Sequence, residues 1–450
     1  MNLFGTNTPA IVQELQATNF VGQVFSGKST NSGLQGKISG EVMNLPAGAL
    51  GVAFGFDARK EKLEQTPSPV LGEGDLAGFG GNIRGANGDR DVKALYAEVN
   101  IPILKSLEAN LALRTDDYSD FGRTTNPKVA IRWQPNRDVL LRTSYGKGFL
   151  APSLFQLFSP RIGGVTAAGT SDPIRCPVTA SQGIDCITQF PITFGGNPGL
   201  QPEKSEQATL GIVFEPNNSW SFSADYFKIR LNNTVTNGVP VATILSDLAQ
   251  YGYLVTRSPV EAAFPNLPGP ILNILQTFVN LGALHIEGAD LEAHYKAPRS
   301  SWGRLRLDMS GTYFIRYDGQ NLDGSYSGFV SNNLGSPVTG TLPRWKHYAS
   351  IAWDAGPWTA SIAQSYQSGY IDVNTDLNGN ARRVSSMSLF DVQGAYTGIK
   401  NLTLTLGVKN VFDTNPPMTN QRISFQAGYD PQVYDARARF VYGSIRYAFK

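Results

Sequence analysis

Apolar and small or polar residues alternate with a period of two along most of this chain. In LGVAFGFDA, Leu50, Val52, Phe54 and Phe56 fall on one side and Gly51, Ala53, Gly55 and Asp57 on the other. That is the repeat of a pleated strand, not the 3.6-residue repeat of a helix. The pattern returns at 37–43, 92–101, 108–118, 128–133, 138–149, 205–214, 219–231, 284–295, 304–317, 346–353, 358–366, 387–396, 402–411 and 437–449. It predicts about fifteen strands and only short helices, at 9–17 and within 241–251. Gly (47) is abundant, and charged residues make up 16% of the 450, against about a quarter in ordinary soluble domains. The 38 basic and 36 acidic residues nearly cancel, so no nucleic-acid partner is implied.

The connections alternate in length. Short turns lie at 102–107, 134–137, 215–219, 297–303, 354–357 and 398–401; long excursions rich in Gly, Pro and Asn lie at 61–91, 150–204, 232–283, 318–344, 367–386 and 413–436. Only 121–126 interrupts the order. Tight turns at one rim and long loops at the other are the plan of an all-β, transmembrane antiparallel β-barrel with short periplasmic turns and long extracellular loops. Aromatic residues near strand ends, among them Trp133, Trp220, Tyr295, Trp353, Trp358 and Tyr396, suit a lipid–water boundary. Asp290, Glu292 and His294 in GADLEAHYK give a polar interior face. No run of about 18 apolar residues occurs, and the opening MNLFGTNTPAIVQELQ has no secretory signal pattern.

Two cysteines, Cys176 and Cys186, share the segment RCPVTASQGIDC. The spacing reads as a disulfide closing a short loop in an oxidising compartment, with two unrelated buried thiols as the alternative. No zinc set, nucleophile elbow or phosphate loop is formed, so no catalytic residue, metal site or cofactor is expected. His285 and His294 fall on opposite faces of one strand. The Gly-rich 72–82 segment reads as a loop.

The stretch LLRTSYGKGFLAPSLFQLF, followed by NPGLQPEKSEQATLGIVFEP, resembles the barrel of TonB-dependent outer-membrane receptors. There a strand carrying Arg and Ser-Tyr leaves as G-F-x-A-P-S into a large loop and returns at N-P-x-L-x-P-E-x-S. The matching residues are Arg142, Ser144, Tyr145, Gly148, Phe149, Ala151, Pro152 and Ser153, then Asn197, Pro198, Leu200, Pro202, Glu203 and Ser205. GVKNVFD adds Asn410, Phe412 and Asp413. The last strand ends in the aromatics Tyr447 and Phe449, in the place of the family's membrane-insertion signal for the barrel-assembly machinery; Lys450 after them is a departure.

The resemblance implies a bacterial outer-membrane location among lipid, an extracellular nutrient ligand such as an iron–siderophore complex, and energy from the TonB-ExbB-ExbD complex through a plug domain. It also implies about 22 strands, so these fifteen are expected to be the C-terminal two-thirds of a barrel, a fragment not competent alone. Residues 36–450 are then barrel, 1–35 the remnant of an extracellular loop, and the plug lies outside the chain. Ligand contacts are expected in the two longest loops, at Phe190, Phe194, Tyr251, Tyr253, Phe264 and Phe278, with plain loop packing as the alternative for each. A passive porin-like or structural barrel, and a soluble β-protein, are the competing readings.

Overall fold

The computed structural model describes residues 5–74, 83–321, 324–333, 342–420 and 427–449, and in it the alternating segments form one antiparallel sheet of sixteen strands. One short strand, Tyr326–Gly328, hangs off its neighbour. The others lie side by side in chain order: β1 (Phe25–Leu45), β2 (Gly48–Pro67), β3 (Asn87–Leu104), β4 (Leu107–Tyr118), β5 (Gly122–Asn136), β6 (Val139–Leu150), β7 (Glu203–Asn217), β8 (Trp220–Asn232), β9 (Ala283–Lys296), β10 (Arg304–Gln320), β11 (Trp345–Ala355), β12 (Trp358–Gln367), β13 (Met387–Ile399), β14 (Leu402–Lys409) and β15 (Phe440–Tyr447). Among the described residues β1 and β15 each pair on one side only. Because their number is odd, these two edge strands run in the same direction.

Directly opposed residues of antiparallel strands share a face, so the register can be followed around the sheet. One row runs Val52, Val99, Leu111, Val129, Tyr145, Ala208. The opposite face carries the row Glu108, Arg132, Arg142, Gly211, Asp225, Asp290, Thr312, Lys346, Gln367. The apolar face has nothing packed on it: Ile38, Leu95, Leu406 and Ile445 are 74%, 69%, 65% and 77% exposed. In water an uncovered face of this extent is untenable, so it is the surface that meets lipid. The polar face lines the bore.

Arg142 and Asp225 sit in one register row on strands that are not neighbours; β7 runs between them. Arg142 nevertheless donates two hydrogen bonds to the Asp225 carboxylate, from Nε at 2.7 Å and from Nη2 at 2.5 Å. The pair passes over Gly211, where a Cβ would fall 2.0 Å from Asp225 Oδ1 and 2.9 Å from Arg142 Cγ. A glycine at that one position lets three strands be tied together across the bore wall.

The helices Pro9–Ala17, Val241–Ser246 and Leu248–Tyr251 lie where short helices were expected. Strand limits differ at the outer rim. β1 begins at Phe25, inside the segment read as a loop remnant, and β2 and β3 cut the 61–91 excursion from both sides. In FSGKSTNSGLQGK small and polar residues occupy both faces with only Phe25 and Leu34 apolar, so no alternation marks the strand, yet the ladder to β2 is continuous there. Lys450 and most of the Gly-rich 72–82 segment lie outside the described residues.

Replacing Gly211 with Ala is expected to break the Arg142–Asp225 clasp, lowering the free energy of unfolding by about 1 kcal/mol, the scale of a half-exposed ion pair. Urea unfolding in detergent micelles measures this. A midpoint equal to wild type would show that the clasp contributes nothing.

Candidate functional site

The 150–204 and 232–283 excursions fold as one module over the outer rim. Strand Pro191–Gly195 pairs in parallel with Ile271–Thr277 and antiparallel with Ile162–Val165, and Val255–Arg257 adds to the other side. The module has its own core of Phe190, Ile192, Val239, Ile244, Leu245, Tyr251, Ile271 and Ile274. Cys176 and Cys186 are joined as a disulfide. Beside it Arg175, 2% exposed, donates from Nε to Asp185 Oδ1 at 2.9 Å, from Nη2 to Glu261 Oε2 at 2.5 Å and from Nη1 to the Pro268 carbonyl at 2.8 Å. Its guanidinium also lies 5.7 Å from the Phe264 ring centroid.

Asp172 is fully buried and accepts hydrogen bonds from Arg257 and from the Ile174 backbone N–H. Burial pushes its carboxyl upward, but the Arg257 guanidinium and the backbone N–H donors outweigh this and hold it below the usual carboxylate range. The two excursions are therefore tied by a charged network as well as by a core.

The six expected ligand-contact aromatics part company. Phe190 and Tyr251 are 2% and 4% exposed within the module core, and Phe264 covers Arg175; these three hold the module together. Tyr253 is exposed on the module surface. Phe194 and Phe278 are brought together with Phe25 and Phe155 around a cavity of about 800 Å³, whose polar lining includes Gln65 and Arg84. Among the described residues Arg84 has no carboxylate partner. No sequence motif pointed to Arg84, Phe25 or Phe155, which reach the cavity from three separate segments.

The motif residues form the rim that carries the module. Arg90, almost buried, donates to the Pro152 carbonyl at 2.7 Å and pairs with Glu61 and Asp120, so the chain is gripped where it leaves β6. Ser153 caps the helix Leu154–Phe158 in a reciprocal box with Gln156. Leu154, Leu157 and Leu200 form a small core, Asn197 donates to the Phe278 carbonyl at 2.9 Å, and Glu203 accepts from Val235 N at 2.8 Å. Pro152 and Pro202 are buried; Pro198 is exposed. Ser144 bonds Thr209 at 2.8 Å on the bore side, Tyr145 faces outward, and the Phe149 ring meets Tyr118 edge-on. Ser205 stands opposite Gly148.

At the other motif, Asn410 exchanges two hydrogen bonds with the Thr414 backbone and its N–H bonds Asp391; Asp413 accepts from Arg439 N at 2.7 Å, ahead of β15. Phe412 is exposed. Tyr447 and Phe449 are exposed and meet edge to face at 4.9 Å.

The last two excursions clasp each other likewise. Tyr370, Val384, Met387 and Tyr434 make a second core, and buried Asp372 accepts from Thr419, from Asn420 N and from Arg382. Val433, Tyr434 and Asp435 reach toward the bore and line a cavity of about 700 Å³ with Arg142, Asp225 and Lys346. Arg437 holds the Asp435 carboxyl down to about 2.

A lipid-facing meander with a polar bore, short turns on one rim and folded modules on the other is the wall of a transmembrane β-barrel. The chain belongs to the family of TonB dependent receptor-like β-barrels, whose model matches residues 2–411. Barrels of this family lie in the outer membrane of Gram-negative bacteria, and they are transport receptors, not enzymes. The chain is 25% identical over 426 residues to the ferric enterobactin receptor PirA of Pseudomonas aeruginosa, covering 92% of this chain and 49% of that protein. It is 25% identical over 411 residues to a probable TonB-dependent siderophore receptor of Acinetobacter baumannii, covering 88% and 48%. The fold matches the crystal structure of a point mutant of the ferric enterobactin receptor PfeA of Pseudomonas aeruginosa in complex with enterobactin, with a TM-score of 0.67 at 18% identity, over 94% of this chain and 55% of that one. The chain thus spans about half the length of the curated relatives it matches.

Asp172→Ala leaves Arg257 without its carboxylate and is expected to destabilise the module by about 3–5 kcal/mol, seen as faster proteolysis of the outer loops in intact cells. The wild-type module gains stability from ionised Asp172 above the unfolded carboxyl pKa of about 3.9. That contribution is lost as pH falls through the lower folded value. Protease resistance is therefore expected to hold from neutral pH down to about 5 and to fall below about 4, and the Asp172→Ala protein is expected to lack that acid step.

Proposed function

We propose that the chain forms the barrel of an outer-membrane receptor for energised uptake of a scarce nutrient, with an iron–siderophore complex as the leading ligand. The observation that carries this reading is the family membership over residues 2–411 joined to a folded outer module with an aromatic cavity. In this reading residues 36–450 are the barrel, and coupling to the TonB-ExbB-ExbD complex comes from a plug region in the half of the relatives' length that these residues do not match. Phe194 and Phe278, with Arg84 as the cation, are the proposed ligand contacts. A cavity of about 800 Å³ is within the usual size for small-molecule sites, and aromatic walls with few polar groups are their usual lining. The terminal aromatics Tyr447 and Phe449 are proposed as the signal read by the barrel-assembly machinery.

The test is radio-iron uptake in a receptor-deletion strain carrying the complete reading frame and supplied with purified ferric siderophores. Uptake is expected to saturate and to disappear when TonB is deleted. Uptake that persists without TonB and rises linearly with concentration would instead establish a passive porin-like barrel. Phe194→Ala with Phe278→Ala is expected to weaken ferric-ligand binding to whole cells about tenfold or more, by removing two aromatic walls. Unchanged binding would place the contacts elsewhere.

A further inference from the structure

The outer module carries a four-stranded sheet whose two edges differ. Val255–Arg257 forms one edge and is blunted: it is three residues long, its pairing shifts register after Thr256, and Arg257 stands at its end. Such devices keep a sheet edge from pairing with another chain. Ile162–Val165 forms the other edge and pairs on one side only among the described residues. Its sequence, IGGV, holds no charge and no proline, its register is unbroken, and Gly163 and Val165 are exposed.

An antiparallel ladder alternates, so the direction of each backbone group on this strand is fixed. Thr166 donates its N–H to the Phe190 carbonyl, and Val165 lies opposite Pro191, which has no N–H to offer. Ile162, Gly164 and Thr166 therefore bond inward, and Gly163 and Val165 turn their N–H and C=O groups to the open side. At Gly163 no atom lies within 4 Å of where a Cβ would stand.

The hairpin continues to its tip with no charge on its surface. Between Ile162 and Phe190 the charged side chains are Asp172, Arg175 and Asp185, and all three are buried. Ile174, Val178, Ile184 and Ile187 are exposed instead. Ile187 is held outward at φ 45°, in the left-handed region that β-branched residues rarely enter, with its N–H bonded to Ser171 Oγ at 3.0 Å. A surface emptied of charge in this way has the composition found at the centre of protein–protein contacts.

We infer that two copies of the protein pair through this edge, Ile162–Val165 of one running antiparallel to Ile162–Val165 of the other about a two-fold axis at Gly164. In that register Gly163 of each copy meets Val165 of the other, and each such pair exchanges its open N–H and C=O groups as hydrogen bonds. Arg161 comes opposite Ala167, so no like charges face each other across the edge. A second copy is the occupant that fits, because an antiparallel edge is complementary to itself and an uncharged hairpin meets its own copy without repulsion. Copies held in one membrane also meet at the same height, which raises their effective concentration.

The experiment uses the complete protein in isolated outer membranes. Gly163→Cys with Val165→Cys, treated with a short bifunctional maleimide, is expected to give a band at twice the monomer mass, while Thr256→Cys on the blunted edge gives none. In mild detergent, sedimentation is expected to resolve monomer and dimer of the wild type. Val165→Pro deletes an outward N–H and leaves the inner ladder whole, and is expected to raise the dissociation constant about tenfold or more, whereas Val165→Thr, which keeps the N–H, leaves it within about twofold. A cross-link at Thr256 as strong as that at the Gly163 and Val165 positions overturns the inference. So does wild type that stays monomeric at every concentration, a measurement that needs no variant to fold, or a Val165→Pro dimer as tight as wild type. Capture of a different protein by the two cysteines in place of a second copy would make the edge a contact between unlike chains and would overturn it as well.

Discussion

In hydrocarbon an unpaired backbone N–H or C=O costs several kcal/mol, because no water replaces the missing partner. The wall of this protein is what that requirement leaves possible. Each strand pairs with its sequence neighbours, from β1 to β15, with no crossover. Even the long excursions return to the strand beside the one they left: β6 pairs with β7 although about fifty residues separate them. The exposed edges of β1 and β15 are the same requirement seen from the other side. In hydrocarbon such an edge carries that cost at each unpaired group, and two edges of equal direction cannot close on each other antiparallel.

Once the ladder is set, the pleat divides the side chains without further choice. Residues that face lipid lose the option of charge, and the others collect it. In the bore the polar groups meet in pairs and rows: Arg142 with Asp225, Arg306 with Asp354 at 2.8 Å, and the His294 ring with Asp308 at 2.8 Å. Such exposed or half-exposed pairs add modestly to stability one at a time. Arg142 reaches further because Gly211 leaves room, so a pair on alternate strands braces three. The same bore wall meets Tyr434 and Asp435 from the outer loops, which gives the far module a footing inside the barrel.

Above the membrane the physical rules change over a few residues. Both faces of β1 and β2 become wet there, and the backbone ladder between them continues, with Glu61 of β2 paired to Arg59 and Arg90. The large module instead behaves as a small globular domain, burying Phe190, Ile244 and Ile274 and tying its surface with Arg175, Arg257 and a disulfide. Arg90 joins the two regimes: it holds the Pro152 carbonyl where the chain leaves the barrel, with partners from β2 and from the turn after β4. The proline motif is thus the point where the module is anchored.

Periodicity made most of the wall legible, since a strand between lipid and water must alternate and Val52, Phe54 and Phe56 do so plainly. The strand order followed, because short turns allow only neighbours to pair. The same reasoning could not see residues 25–36, where two wet faces erase the alternation but not the hydrogen bonds. Nor could it sort the loop aromatics. Phe190 and Tyr251 are core while Phe194 and Phe278 face a cavity, and nothing in their local sequence separates the two cases. Local chemistry along the chain therefore determined the strands, their faces and the family they belong to. Only the tertiary structure decided which of the distant loop residues meet, because the contacts of Arg90, Arg175 and Arg257 join segments that no short-range pattern relates.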